Sequence, residues 1–192
     1  MGKLILGIGV NDRSVPSTIN GKSRKEYQIW HNMLRRVASK EYQDKNPTYK
    51  DCTVSESFKY FHLFFAWYTN QIGANLEGYC LDKDLLIKDN KLYSENTCVL
   101  LPIAINQLLV KSNSIRGELP IGVSKDRNVY RASCSINGKY VHIGSYNNPD
   151  EAFEGYKTYK EEYIKNMAEQ YKSNIDQRAY QALLNYKVEK GD

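Results

Sequence analysis

Residues 78–107, GYCLDKDLLIKDNKLYSENTCVLLPIAINQ, constrain the fold more than any other stretch of the chain. An apolar run ends in Asp82-Lys83-Asp84, and a polar, turn-rich loop follows. A second apolar run starts near Cys98, and Pro102 opens a segment that carries Asn106. The order this predicts is strand, loop, strand, helix. Proline has no backbone N–H to lose at a first helical position, and Ile103, Asn106, Gln107 and Val110 then recur at helical spacing. If the strands pair and the helix packs back across them, Asp82 at the end of the first strand and Asn106 one turn into the helix converge. Two oxygen ligands that leave coordination sites open suit a hard divalent cation such as Mg²⁺, so Asp82 and Asn106 are the expected metal ligands.

This stretch resembles the ββα-metal core of HNH-type endonucleases, in the divergent form of small phage and intron-encoded homing proteins. The likeness rests on the Leu81-Asp82-Lys83 triplet, the Tyr93-Ser94 pair, the Thr97-Cys98 pair and the helix asparagine Asn106. It extends upstream through YQIWHNMLRRVASKEYQ, NPTYKDCTV and a Phe- and Trp-rich segment, so it spans most of residues 7–110. The resemblance implies DNA cleavage with a divalent metal on Asp82 and Asn106, and it puts Thr97 where many members carry a loop-bracing asparagine. One departure matters: the family's general-base histidine follows the aspartate directly, and here that place is Lys83. A protonated lysine accepts no proton unless burial depresses its pKa. The base is therefore left to a metal-bound water, to Lys83 or Asp84, or to His62 delivered by tertiary folding.

The rest of the N-terminal half reads as helices. Over residues 24–42, Tyr27, Trp30, Leu34 and Val37 form one apolar stripe. Arg35 and Arg36 fall off it, placed to reach phosphates or to stay solvated, and His31 beside Trp30 reads as structural. Residues 49–54 suggest a short strand, and residues 55–72 a second helix with Phe58, Phe61, Phe65 and Tyr68 on one face. Aromatics at that spacing are packing residues first. Hydrophobic content of 41% and aromatic content of 12% support packed cores over disorder. Cys52, Cys80, Cys98 and Cys134 form no CxxC pair, which favours small buried residues in a reducing compartment over a zinc site. With no bilayer-length apolar run and no signal-peptide pattern at the start, a cytoplasmic protein without membrane contact is expected, in the host cell if phage-encoded.

The polar string KSNSIRGEL, residues 111–119, reads as a linker. Beyond it, residues 121–123, 129–136 and 140–145 alternate as three short strands, with Asn137-Gly138 as a two-residue hairpin turn. Alternation puts Tyr130, Ala132, Cys134 and Ile136 on one face with Val141 and Ile143. It leaves Arg131, Ser133 and Ser135 on the other face with Tyr140 and His142. Asn148-Pro149-Asp150-Glu151 then starts a helix by capping. Its apolar side, from Ala152 and Phe153 to Met167, covers the inner face. Residues 120–146 carry 4 Lys+Arg against 1 Asp+Glu, while residues 147–192 carry 7 against 9, so positive charge gathers on the sheet rather than the tail.

Three strands backed by one helix, with Gly122-Val123, Tyr130-Arg131-Ala132, Gly138-Lys139 and Glu151-Ala152, resemble the APETALA-type DNA-binding domain of plant ethylene-response factors. That family lays its sheet in the major groove of double-stranded DNA. The resemblance implies Arg127, Arg131, Ser133, Ser135, Lys139, Tyr140 and His142 as contacts, with arginine suited to guanine and serine or lysine to phosphate. This sheet has fewer arginines than the plant domains.

The expected fold is thus α+β: a helical N-terminal part leading into an HNH-like core (residues 1–112), a linker (113–119), a three-stranded antiparallel sheet with its helix (120–170) and a C-terminal helical tail (171–192). The tail either packs on the body or joins two copies, so monomer and homodimer both stay open. The expected function is a Mg²⁺-dependent endonuclease or nickase of phage homing type. The alternatives are a catalytically decayed scaffold acting as a DNA-binding or regulatory protein, and a host-inhibiting factor that uses its aromatic helices as a surface.

Overall fold

The structure is a computed structural model and describes residues 4–110 and 118–192. The architecture is mixed α+β and divides into two compact units, Met1–Pro102 with Asn174–Ala179, and Ile103–Ser173 with Tyr180–Asp192. Most of the expected linker, residues 113–117, lies outside the described residues. Among the described residues no helix is long and apolar enough to cross a membrane.

The first unit opens with a small hairpin, β1 (Thr18–Ile19) and β2 (Lys22–Ser23), followed by α1 (Lys25–Ala38). The single helix expected over residues 24–42 is two. Ser39 leaves helical geometry and its hydroxyl accepts the Tyr42 N–H at 3.2 Å, capping α2 (Lys40–Lys45). A serine that can bond the backbone of a following turn competes with helix continuation. Residues 47–49 form a 3₁₀ turn, and the strand expected over 49–54 shortens to β3 (Thr53–Val54).

The helix expected over 55–72 is also interrupted. Ser55 caps α3 (Glu56–Lys59), Tyr60 is extended, and α4 runs Phe61–Thr69. The cause is a chain segment distant in sequence: Val10 donates to the Lys59 carbonyl at 2.8 Å and accepts the Phe61 N–H at 2.9 Å. Those bonds satisfy the backbone at Tyr60 in extended form, which periodicity along 55–72 does not encode. α1 packs on α4 through aromatic rings, with Tyr27 and Phe61 edge to face at 5.1 Å and Trp30 5.4 Å from Phe61. The Trp30 indole N–H donates to the Phe58 carbonyl at 2.8 Å, so the largest buried side chain satisfies its one donor inside the core.

β4 (Tyr79–Asp82), β5 (Leu92–Tyr93) and β6 (Val99–Pro102) complete this unit. β4 and β6 pair antiparallel from Tyr79↔Pro102 to Asp82↔Val99, and β3 pairs parallel with β5. Pro102 is therefore the last strand residue rather than the first helical one. Gly73, at φ +93°, lies so close to the Tyr79 ring that no Cβ fits there.

The second unit begins with α5 (Ile103–Leu108) and continues into β7 (Val123–Asp126), β8 (Val129–Ile136) and β9 (Lys139–Tyr146), an antiparallel meander in that order. Asn137 and Gly138 both have positive φ, 50° and 75°, the geometry a two-residue hairpin demands. α6 (Pro149–Gln170) follows, with the Asn148 side chain accepting the Glu151 N–H at 2.9 Å and Pro149 at the first helical position. Ala132, Cys134, Ala152, Phe153, Tyr156 and Val188 form the core between sheet and helix. The segment around α7 (Gln177–Leu184) is divided between the units: Ile175 and Ala179 are buried residues of the first, Leu183 and Val188 of the second. The tail is packed on the body of its own chain.

Candidate functional site

In the first unit, Asp82 ends β4 half-buried. Its Oδ1 accepts the N–H groups of Asp84 at 3.0 Å and Leu85 at 2.8 Å, a turn that fixes the carboxylate plane. Among the described residues no donor bonds Oδ2. Burial pushes this carboxyl above its ordinary range; the nearby Asp84 charge adds to that, and the two N–H bonds and Lys83 oppose it. A carboxylate held in place with one oxygen open and its charge poorly solvated is what a hard cation would relieve. Among the described residues, no three His, Cys, Asp or Glu side chains gather as a metal-binding group.

Lys83 points the other way. Its side chain is 5% exposed, its ammonium donates to the Asn90 carbonyl at 2.8 Å and pairs with Asp84, and it sits 5.6 Å from the Tyr93 ring centroid. Asn90 answers by donating to the Lys83 carbonyl at 2.8 Å and the Leu92 carbonyl at 2.7 Å. Lys83 is thus the inner post of the loop between β4 and β5. Thr97 ties the next turn, its hydroxyl donating to the Leu92 carbonyl at 2.7 Å and accepting the Ser94 N–H at 3.1 Å. Asn106 is half-buried on α5 and falls in the other compact unit.

His62 on α4 is 2.9 Å from Asp12 through Nδ1, and Asp12 in turn accepts the Ser14 N–H and hydroxyl. Those bonds from Ser14, with His62 adding, hold the Asp12 carboxyl below its usual range. Cys52, Cys98 and Cys134 are buried, Cys80 is half-buried, and all four are free thiols.

Around β3 and β5 lies a group of which the sequence singled out only Arg35 and Arg36. Arg36, in the last turn of α1, stacks 5.1 Å from the Tyr49 ring centroid with the Tyr93 hydroxyl facing it, and Arg35 stacks 4.7 Å from Tyr42. The signal was the pair of arginines off the α1 stripe followed by Tyr42, Tyr49 and Tyr93, but nothing in spacing alone joins those tyrosines to Arg36.

In the second unit, pairing sorts the expected contact residues. Ser133 lies opposite His142, Ser135 opposite Tyr140, and Arg131 opposite both Ser124 and Ser145. A bulge between Ala132 and Ser133 adds a residue to β9, turning Ser145 onto the Arg131 face where strict alternation would put it inside. Tyr140 is 66% exposed, the most open large hydrophobic residue on the chain's described surface. Arg127 stands in the β7–β8 turn at φ 53°. Lys139 pairs with Ile136, so it flanks the hairpin turn and shares the parity of the inner face. The Arg131 guanidinium is engaged by Asp126, a contact absent from the expected set. The outer face is therefore rich in hydroxyls, with one arginine already paired, instead of broadly basic.

No protein-family model, curated protein or solved structure matches the chain.

Proposed function

We propose that the chain is a DNA-binding, divalent-metal-dependent endonuclease or nickase acting on phosphodiester bonds of double-stranded DNA, with a ββα-metal core of the HNH type. The observation that carries this reading is Asp82: a fixed, half-buried carboxylate with Oδ2 open, in a strand–loop–strand braced by Lys83, Asn90 and Thr97. Mg²⁺ keeps several waters and takes one or two protein oxygens, a demand that Asp82 meets through Oδ2. Bound there, the ion would supply charge stabilisation at the scissile phosphate and an acidified water.

The chain's own groups do the remaining work. The two N–H bonds to Oδ1 keep Asp82 from swinging, and Lys83 holds the loop so that the carboxylate stays at the strand end. Lys83 is committed to Asn90 and Asp84, so it acts as a brace and not as the base. The outer face of β7–β9, through Arg131, Ser133, Ser135, Tyr140, His142 and Ser145, takes the duplex, with Arg127 and Lys139 contributing charge from the two hairpin turns. The test is incubation of supercoiled DNA with purified protein and Mg²⁺. Nicked or linear product that vanishes in Asp82→Ala is the expected result; uncut DNA with wild type and variant alike overturns it.

A second reading is favoured by the same buried Lys83: a non-catalytic DNA-binding protein on a nuclease scaffold. It is distinguished by salt-sensitive duplex binding with no hydrolysis under any divalent metal.

A further inference from the structure

Arg36 is a half-buried cation that the fold sets against tyrosines and not against an acid. A guanidinium carries five N–H donors, yet among the described residues no carboxylate pairs with Arg36; its surroundings are the face of Tyr49 at 5.1 Å and the hydroxyls of Tyr93 and Tyr42. It is half-buried at the end of a long rigid helix, α1, so its position is set by the helix and not by a loop. A half-buried cation normally finds an acid; this one rests against the Tyr49 ring and bonds the Tyr93 hydroxyl, which takes only part of its five donors.

Arg36 shares its surroundings with other cations: Lys83, Lys91 and Arg36 all act on the Cys52 thiol, opposed by Asp84. Lys91 is anchored by a bond to the Thr48 carbonyl at 2.9 Å, which ties its ammonium to the turn carrying Tyr49. The same group reaches the acidic strand end: Cys80 lies in the fields of both Asp82 and Arg36, and Tyr49 in those of Arg36, Lys83 and Asp84. An arginine fork on a tyrosine platform, with the Lys91 ammonium tied to the same turn, forms a place for a phosphodiester.

We propose that Arg36, seated on Tyr49, is a phosphate-binding residue that takes the non-bridging oxygens of a DNA backbone phosphate in the guanidinium donors that the Tyr93 hydroxyl leaves over. The arginine does this by fork geometry as well as charge, since two parallel N–H bonds match a phosphate where an ammonium offers a point. The inference rests on the nucleic-acid reading above, but it concerns binding and needs no metal.

The test is carried out in EDTA. The full-length protein is treated with phenylglyoxal, with and without a short duplex, and modification of Arg36 is mapped by peptide mass. Arg36 should react in the free protein and be protected several-fold by DNA. In parallel, Arg36→Met should weaken duplex binding roughly tenfold and lower the salt slope by about one. Arg36→Lys should keep the fold and the slope yet stay weaker than wild type. If Arg36 does not react without DNA, or reacts equally with it, the residue is a tie between α1 and the tyrosines and the proposal falls. That mapping decides the matter even if Arg36→Met does not fold. Wild-type protein that binds no duplex at all removes the nucleic-acid reading itself, whereas binding without protection removes Arg36 alone.

Discussion

Single residues in this chain show where stability has been given up. Burial raises the Asp82 carboxyl, so the folded state binds its proton more tightly than the unfolded chain does. Ionisation of this group therefore opposes folding above its folded pKa, and the penalty fades as pH falls through that value. Asp82→Asn keeps an oxygen for the Asp84 and Leu85 N–H groups while removing the charge. It should raise Tm by about 3 °C at neutral pH, of order 1 kcal/mol, and abolish the proposed cleavage. Thermal melts of both proteins at neutral pH and near pH 4 check this, since the gap should shrink at the lower pH. Asp126 is the corresponding residue on the sheet. It neutralises Arg131 on the face proposed for DNA, so Asp126→Asn should tighten duplex binding about fivefold at low salt, with the gain fading as salt screens it. Fluorescence anisotropy across a salt series reads both effects.

At the scale of elements, α6 depends on its start. Asn148 accepts the Glu151 N–H at 2.9 Å ahead of Pro149, and Asn148→Ala should cost about 1 kcal/mol, read as an earlier midpoint in urea. That cap, the Asn137-Gly138 turn and the alternation of β8 were all legible, because each is written in contiguous residues. β4 and β6 were legible for the same reason, although Pro102 closes a strand where helix-start chemistry suggested otherwise. The two helix breaks were not. Ser39 is one hydroxyl in a good helical stripe, and the break at Tyr60 is made by Val10, some fifty residues upstream. The β9 bulge was equally hidden, since Ser145 changes face only when both strands are laid side by side. Of the candidate site, Asp82 could be named from its place at the end of an apolar run. The bonds of Lys83 to Asn90 and of Arg131 to Asp126 could not, because a charged side chain's partner is a property of the folded loop or sheet.

At the scale of the whole molecule, the tail is a structural member of both units. Tyr79 donates to the Asn174 carbonyl at 3.0 Å and Arg178 to the Asn96 carbonyl at 3.3 Å in the first unit. In the second, Val188 enters the sheet–helix core and its N–H bonds Glu161 at 3.0 Å. Burial raises the Glu161 carboxyl, but the Val188 N–H and the Lys187 ammonium outweigh it and hold the group below its usual range. Truncation after residue 173 should therefore lower the thermal stability of both units, not remove an accessory. Calorimetry should show every transition of the truncated chain shifted down by several degrees. Unchanged melting would mean that the tail's buried residues contribute nothing.

The shared tail also bears on how such a chain can recombine. A sheet module transplanted as residues 118–173 would arrive without the valine that fills its core, and the donor would lose the peptide that Tyr79 and Asn96 grip. Moving the module into another chain would therefore have to bring the ending along with it.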